Sequence, residues 1–76
     1  MKSYDYDIDI VAMGKRELAQ LYAPDLMPRS AVNRLNRWIS IHPVLSAELR
    51  KTGYRKTCKI FSPRQVELIV EHLGEP

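Results

Sequence analysis

One stretch of the sequence, residues 28–41, concentrates side chains that can hydrogen-bond to nucleic-acid bases. If this stretch is a helix, its residues lie 100° apart and its polar residues gather on one arc. These polar residues are Arg29, Ser30, Asn33, Arg34, Asn36, Arg37 and Ser40. Arginine can form two hydrogen bonds with guanine, and asparagine can form two with adenine. No acidic residue occurs between Leu26 and Ala47, so nothing near this arc repels phosphate.

The position of each polar residue along this helix predicts what it contacts. In a helix-turn-helix the second helix enters the major groove, and its N-terminal half reaches the base edges. Arg29, Ser30 and Asn33 are therefore the predicted base-reading residues, while Arg34 and Arg37 are predicted to contact bases or phosphates. A solvated helix usually pairs Glu with Lys four residues apart. This helix contains neither residue, which favours nucleic-acid binding over a merely solvated face.

A second basic cluster, Arg55, Lys56 and Lys59, is predicted to bind phosphates beside the groove. Phosphate contacts fix the register of a protein on DNA and carry no sequence information directly. The alternative is structural, because the three aspartates within residues 5–9 could pair with these cations across two strands. Opposite charges across a strand pair contribute about 0.2–1 kcal/mol each.

Other chemistries find no matching motif. His42 and His72 are single and far apart, and with Cys58 as the only cysteine they form no metal-site spacing. The aspartates within residues 5–9 lack the glycine turn and distal glutamate of a calcium loop. No nucleophile has a nearby base in a recognisable motif, and no glycine-rich phosphate loop occurs. We therefore expect no enzymatic activity, no metal or cofactor, and no small-molecule ligand.

The net charge of +3 over 76 residues is unevenly distributed. Residues 26–64 hold nine Lys or Arg against one Glu, a charge of +8, between segments of −2 and −3. A basic middle predicts a polyanionic partner. Lys15 and Arg16, in the acidic first segment, are weaker phosphate candidates. Without a signal peptide, an apolar run long enough to cross a bilayer, or a second cysteine, we expect a cytoplasmic protein with no membrane contact.

To position these residues, the chain must form several helices and strands. Residues 4–10 alternate between apolar and acidic, which predicts a half-buried strand. Helices are predicted over 15–22, 28–41 and 43–51, a strand over 54–61, and a final helix from a capping box at 62–65 to about residue 73. The apolar faces of the helices predict these core residues: Leu18, Leu21, Tyr22, Ala31, Val32, Leu35, Trp38, Ile39, Val44, Leu45, Leu49, Val66, Ile69, Val70 and Leu73.

These elements predict one α+β domain over residues 1–76 that is mostly helical. It is a helix-turn-helix of winged-helix-like type, with about four short helices. A two-stranded β ribbon pairs the N-terminal strand with the strand near 54–61. A domain of this size buries only about 60% of its unfolded surface, which suits one thin core and rarely a deep pocket.

Six segments of the chain form a pattern of their own: GKRELAQLY at 14–22, PDL at 24–26, RWI at 37–39, TGY at 52–54, FSPRQV at 61–66 and GEP at 74–76. Together these segments resemble a family of short bacterial proteins, domain of unknown function 4248. This resemblance covers nearly the whole chain and implies no particular activity. At the level of fold, the chain also resembles the winged-helix domains of MerR-type regulators and phage excisionases. That likeness implies DNA binding through the second helix, although here a third helix precedes the wing.

These features predict a DNA-binding helix-turn-helix protein, a regulatory or mobile-element accessory factor whose partner is double-stranded DNA. A homodimer is expected, through the acidic strand edge or the last helix. The alternative is a small protein-interaction adaptor whose basic helix face docks an acidic partner. An RNA-binding protein would need exposed aromatic side chains for stacking, and Trp38 and Tyr54 are predicted to be buried.

Overall fold

The computed structural model describes residues 10–76, which form four helices and two short strands. The helices are α1 Lys15–Tyr22, α2 Pro28–Ser40, α3 Pro43–Lys51 and α4 Pro63–Leu73. The strands β1 Met13–Gly14 and β2 Ile60–Phe61 pair in antiparallel fashion, with Met13 opposite Phe61. The predicted mostly helical α+β fold with a two-stranded ribbon is confirmed. No helix in this part of the chain is long and apolar enough to span a membrane.

The predicted strands differ in extent from the observed ones. Apart from Ile10, the strand predicted over 4–10 lies outside the described residues. Of the strand predicted over 54–61, only Ile60 and Phe61 are strand. Gly53, with a φ of 88°, turns the chain after α3, and residues 54–59 then fold into a turn. Ladder pairing begins only after this turn, where β2 meets β1.

The helix ends follow local signals in the sequence. Pro28 and Pro43 each open a helix at its first position, where the missing N–H of proline needs no partner. The capping box is complete, because the Ser62 hydroxyl accepts from the Gln65 amide and Gln65 Oε1 accepts from the Ser62 amide. Gly74, with a φ of 88°, caps the end of α4. These signals set the starts of α2, α3 and α4 and the end of α4.

The core lies between the four helices and the ribbon. The largest fully buried side chains are Phe61, Leu18, Leu35, Leu45, Leu49, Ile69, Val66 and Val70. Three predicted core residues lie outside the core: Leu21 is 46% exposed, Val44 is 58% exposed and Trp38 is half-buried. Helix α1 instead turns Ala19 inward. Helix α4 buries a wider arc than its predicted stripe, so Leu68 joins the core.

Candidate nucleic-acid interface

Helix α2 buries one face and leaves the opposite face in solvent. Ala31, Leu35 and Ile39, four residues apart, are buried in the core. Residues about half a turn away from such a stripe point outward. All five predicted DNA-contacting residues of this helix are accordingly exposed. They form the surface that we call the outer face of α2: Arg29, Ser30, Asn33, Arg34 and Arg37.

The arginines of this face have no carboxylate partner within residues 10–76. The ion pairs in this part of the chain lie on other helices, between Lys51 and Glu48 at 3.2 Å on α3 and between Arg64 and Glu67 at 2.7 Å on α4. Helix α2 itself contains no acidic residue. Guanidinium groups without carboxylates nearby give the surface a positive potential that attracts polyanions.

Residues 55–59, which we call the basic loop, form a compact turn. The Cys58 amide donates to the Arg55 carbonyl at 2.9 Å, and the Arg55 amide donates to Cys58 Sγ at 3.3 Å. The side chains of Arg55, Lys56 and Lys59 are all exposed. The three residues predicted to bind phosphate therefore project from a single hydrogen-bonded turn.

The basic loop lies beside α2. Asn36 and Ser40 of α2 line the same cleft, of about 310 Å³, as Arg55 and Lys56 of the loop. The Tyr54 hydroxyl, at the start of the loop, lies 3.5 Å from Asn36 Oδ1. The fold thus places the basic loop against the Asn36 and Ser40 flank of α2, although the two segments are about twenty residues apart in sequence.

The start of α1 borders the other side of the basic loop. Arg16, Lys56 and Lys59 line an open cleft of about 760 Å³, which Glu17 also lines. Arg16 is exposed, but Lys15 is only 4% exposed and its ammonium donates to the Lys56 carbonyl at 2.7 Å. Burial lowers the pKa of Lys15 below its ordinary value. Its burial and its bond to a backbone carbonyl do not favour the weak phosphate role predicted for Lys15.

The family of the chain follows from a comparison with family models. Residues 10–76 match the family described as domain of unknown function DUF4248. The chain belongs to this family. The predicted family resemblance is thereby confirmed over all the residues that the structure describes. Comparisons of this DUF4248 chain with curated proteins and with solved structures gave no match.

A second cleft of the DUF4248 domain opens on the opposite flank of α2. Arg34, Arg37, Trp38 and Ile41 line it, with a volume of about 430 Å³. Trp38 was predicted to be core, yet it is only half-buried and packs edge-on against the Tyr22 ring, with 5.9 Å between the ring centroids. Ile41 is 69% exposed. Sequence periodicity missed this site because Trp38 lies at the border of the apolar arc.

The two histidines of the DUF4248 domain, which are far apart in the sequence, lie together in the fold. The ring centroids of His42 and His72 are 5.3 Å apart in an edge-on arrangement. His42 Nδ1 accepts a hydrogen bond from the Leu45 amide, so neutral His42 carries its proton on Nε2 and has no lone pair there. Within residues 10–76 no three His, Cys, Asp or Glu side chains are grouped to hold a metal ion. The pair is a packing contact that joins α3 to α4.

Proposed function

We propose that this DUF4248 domain binds double-stranded DNA, with α2 in the major groove and the basic loop on the neighbouring phosphate backbone. The observation that carries this proposal is the position of the basic loop, which lies against Asn36 and Ser40 of α2, one helical turn from Asn33 and Arg37 of the outer face. The outer face and the basic loop are both basic, exposed and free of carboxylate partners within residues 10–76. Phosphate binding needs such cations, and base reading needs donors on a helix that fits the groove.

The proposed contacts divide between bases and phosphates. Arg29, Ser30 and Asn33 lie in the first half of α2 and would read base edges. Arg34 and Arg37, further along the same face, would contact bases or phosphates. The basic loop would bind the backbone that borders the groove, where its three cations fix the register. This division predicts that sequence preference resides in the first half of α2.

The order of elements adds support at the level of fold. Helices α1 and α2, joined by a short turn, are followed by a basic turn that enters a two-stranded ribbon and then by α4. This order is similar to the winged-helix domains of MerR-type regulators and excisionases, with α3 inserted before the wing. Such a likeness favours a role as a regulatory or mobile-element accessory factor in the cytoplasm. Fold alone does not fix function, so the proposal depends on the basic surface.

A homodimer is part of this proposal. A single small module contacts only about 600–1,000 Å² of DNA-facing surface, which gives weak specificity. Two copies on adjacent half-sites would double the number of base contacts. Sedimentation velocity with and without a duplex checks this point, since a dimer predicts two domains on each bound DNA molecule.

The test of DNA binding is fluorescence polarisation with a labelled mixed-sequence duplex at several salt concentrations. The outer face of α2 and the basic loop together hold six cations. If all of them contacted phosphate, the logarithm of affinity would fall with a slope of about five against log salt, since each contact contributes about 0.9. The variant Arg29→Ala/Arg34→Ala/Arg37→Ala should lose most of the affinity and reduce this slope by up to about three.

A control variant that loses two cations elsewhere, compared with Arg34→Ala/Arg37→Ala, separates the proposed surface from net charge. The variant Lys51→Ala/Arg64→Ala removes two cations that are paired with carboxylates on α3 and α4. It should bind DNA nearly as well as the wild type. Circular dichroism must show that each variant is folded. No binding by the folded wild type at low salt, or an equal loss in the control, would overturn the proposal.

A second candidate function is favoured by the Trp38–Ile41 cleft. Tryptophan and arginine are enriched in the parts of protein interfaces that contribute most to binding, and here they flank an exposed isoleucine. An acidic partner segment with apolar side chains would fit Ile41 and Trp38 while its carboxylates meet Arg34 and Arg37. In this function the domain is an interaction adaptor.

The two candidates differ in what Ile41 does. Ile41→Ser removes an apolar contact and leaves every cation in place, so it should not change DNA affinity. It should weaken binding of a synthetic acidic amphipathic peptide. Because Trp38 is the only tryptophan, its fluorescence should shift to the blue when an apolar segment covers it. Absence of any peptide-induced shift would exclude the adaptor function at this cleft.

A further inference from the structure

Lys15 contacts the basic loop at two points. Its ammonium donates to the Lys56 carbonyl at 2.7 Å, and its backbone amide donates to the Lys59 carbonyl at 2.8 Å. The Lys56 carbonyl lies within the turn that Arg55 and Cys58 close, and the Lys59 carbonyl lies directly after it. One residue of α1 therefore holds both halves of a loop that lies more than forty residues later in the sequence.

The surroundings of the Lys15 ammonium are aromatic. It lies 4.9 Å from the centroid of the Tyr54 ring and 5.9 Å from that of Phe61, and these two rings stack on each other at 5.7 Å. A cation within about 6 Å of a ring face is attracted by the quadrupole of the ring. Tyr54 precedes the basic loop and Phe61 follows it, so the ammonium also links the two ends of this segment.

A lysine is an unfavourable choice for a site that serves packing alone. Burial disfavours the charged form, and a methionine of similar length would fill the same space without that cost. The donor function of Lys15 explains its presence, because an apolar side chain cannot bond the Lys56 carbonyl. The bond is to backbone, so it fixes the path of the loop and leaves the Lys56 side chain exposed.

We propose that Lys15 is a positioning residue that fixes the basic loop against α1, so that Lys56 and Lys59 meet the DNA backbone in a preset arrangement. This inference rests on the proposed function and names a residue that acts on that surface without contacting DNA. A loop fixed before binding loses less conformational entropy when it binds. Arg16, which shares the cleft with both lysines, would contact the same stretch of backbone.

The first measurement is amide hydrogen exchange of the wild type and Lys15→Met. The Cys58 amide, which closes the turn, should exchange at least about tenfold faster in the variant, since the lost bond has a charged donor. Amides in the middle of α2 and α4 should keep their wild-type rates. Unchanged exchange in the basic loop would show that Lys15 does not hold it, and this outcome is independent of any DNA binding.

The second measurement compares DNA binding of Lys15→Met with that of Lys56→Met at several salt concentrations. The two variants lose the same charge, but Lys56→Met keeps the backbone carbonyl that Lys15 bonds. Lys56→Met should reduce the salt slope by about one, and Lys15→Met by up to about two because both loop lysines lose their fixed positions. The double variant Lys15→Met/Lys56→Met should bind DNA no more weakly than Lys15→Met alone. In the proposal, Lys15 acts by positioning Lys56, so both substitutions remove the same contact between Lys56 and phosphate.

The outcomes separate this inference from the proposed function. A loosened loop in Lys15→Met with wild-type affinity and slope would overturn the positioning role on DNA. A loosened loop in a domain whose wild type binds no duplex would overturn the proposed function and leave the loop contact standing. If every amide of Lys15→Met exchanges rapidly, the variant is globally destabilised and the loop contact is tested with Lys15→Arg instead. It keeps a charged donor, and should restore the slow exchange of the Cys58 amide and the wild-type salt slope; failure to restore either overturns the proposal.

Discussion

Gln65 joins the end of α3 to the start of α4 through a chain of three hydrogen bonds. It is 7% exposed, and its Oε1 accepts from the Ser62 amide at 2.9 Å. Its Nε2 donates to the Thr52 hydroxyl oxygen at 2.9 Å, and that hydroxyl donates to the Leu49 carbonyl at 2.6 Å. Thr52, in the middle of this chain of bonds, directly precedes Gly53, where the segment that leads into the basic loop begins. Gln65 is therefore the residue through which the cap of α4 fixes the exit from α3.

The substitution Gln65→Glu tests this joint with a minimal change. A glutamate keeps the oxygen that caps α4, and capping boxes accept either residue. It loses the donor to Thr52, whose single hydroxyl proton is already used by Leu49. A buried carboxylate oxygen is then left without a hydrogen bond opposite the hydroxyl oxygen of the exposed Thr52, at a cost of about 1–3 kcal/mol. For a domain of this length that cost lowers the melting temperature by roughly 5–20 °C.

The pH dependence of the variant identifies the cause. Burial disfavours the carboxylate, so the folded state should hold the pKa of a glutamate at position 65 above its ordinary value of about 4.3. The protonated form can donate to Thr52. The loss of stability should therefore be small below about pH 4 and should grow as pH rises through the folded pKa.

Thermal unfolding followed by circular dichroism at about pH 4 and pH 7 provides the assay. Gln65→Met is the matched control, since it lacks both hydrogen bonds at every pH and its deficit relative to wild type should not depend on pH. Two results would contradict this role of Gln65. One is a melting temperature of Gln65→Glu equal to that of the wild type at pH 7. The other is an equal lowering of the melting temperature at both pH values.

Three further predictions concern the caps and the buried tyrosines. His42→Ala should lower the free energy of unfolding by about 1 kcal/mol in urea titration, whereas His42→Ser, which keeps an acceptor for the Leu45 amide, should lose less; equal losses would contradict the capping role. Gly53 has a φ of 88°, a conformation that is unfavourable for a residue with a Cβ atom. Gly53→Ala should therefore lower the free energy of unfolding by about 1–2 kcal/mol in the same titration, and an unchanged urea midpoint would contradict this. Burial raises the pKa of Tyr22 and of Tyr54 to about 12, so absorbance titration should find both rings protonated at about pH 11. The raised pKa values stabilise the fold below about pH 10, and that stability is lost as pH rises through about 12; ionisation of all tyrosines near pH 10 in the folded domain would contradict this.

The helices could be predicted from the sequence because their ends depend on neighbouring residues. The proline at Pro28 and the Ser62–Gln65 box each act within one turn of the helix that they start. The apolar stripe of α2 likewise needs only the helical period. For this reason the exposure of its five polar residues was predictable before the arrangement of the helices was known.

Other features depend on contacts between distant residues and could not be read from local pattern. Lys15 looks like a solvated residue in the first turn of a helix, and its bonding partner lies 41 positions away. The segment 54–61 has residue types that favour a strand, but its turn is closed by Cys58 and held from α1. The contact between the rings of His42 and His72 exists only because α3 packs on α4.

The two basic sets differ in how they are held, and this difference shapes the proposed recognition. The outer face of α2 belongs to a helix whose core face is fully packed, so its spacing is that of a rigid helix. The basic loop has no such packing and depends on hydrogen bonds from Lys15 and within its own turn. Rigid phosphate contacts at a fixed distance from α2 would set the depth and register at which Arg29 and Asn33 reach the bases. Loosening the loop should therefore reduce discrimination between DNA sequences as well as affinity, although no residue of the loop reads a base.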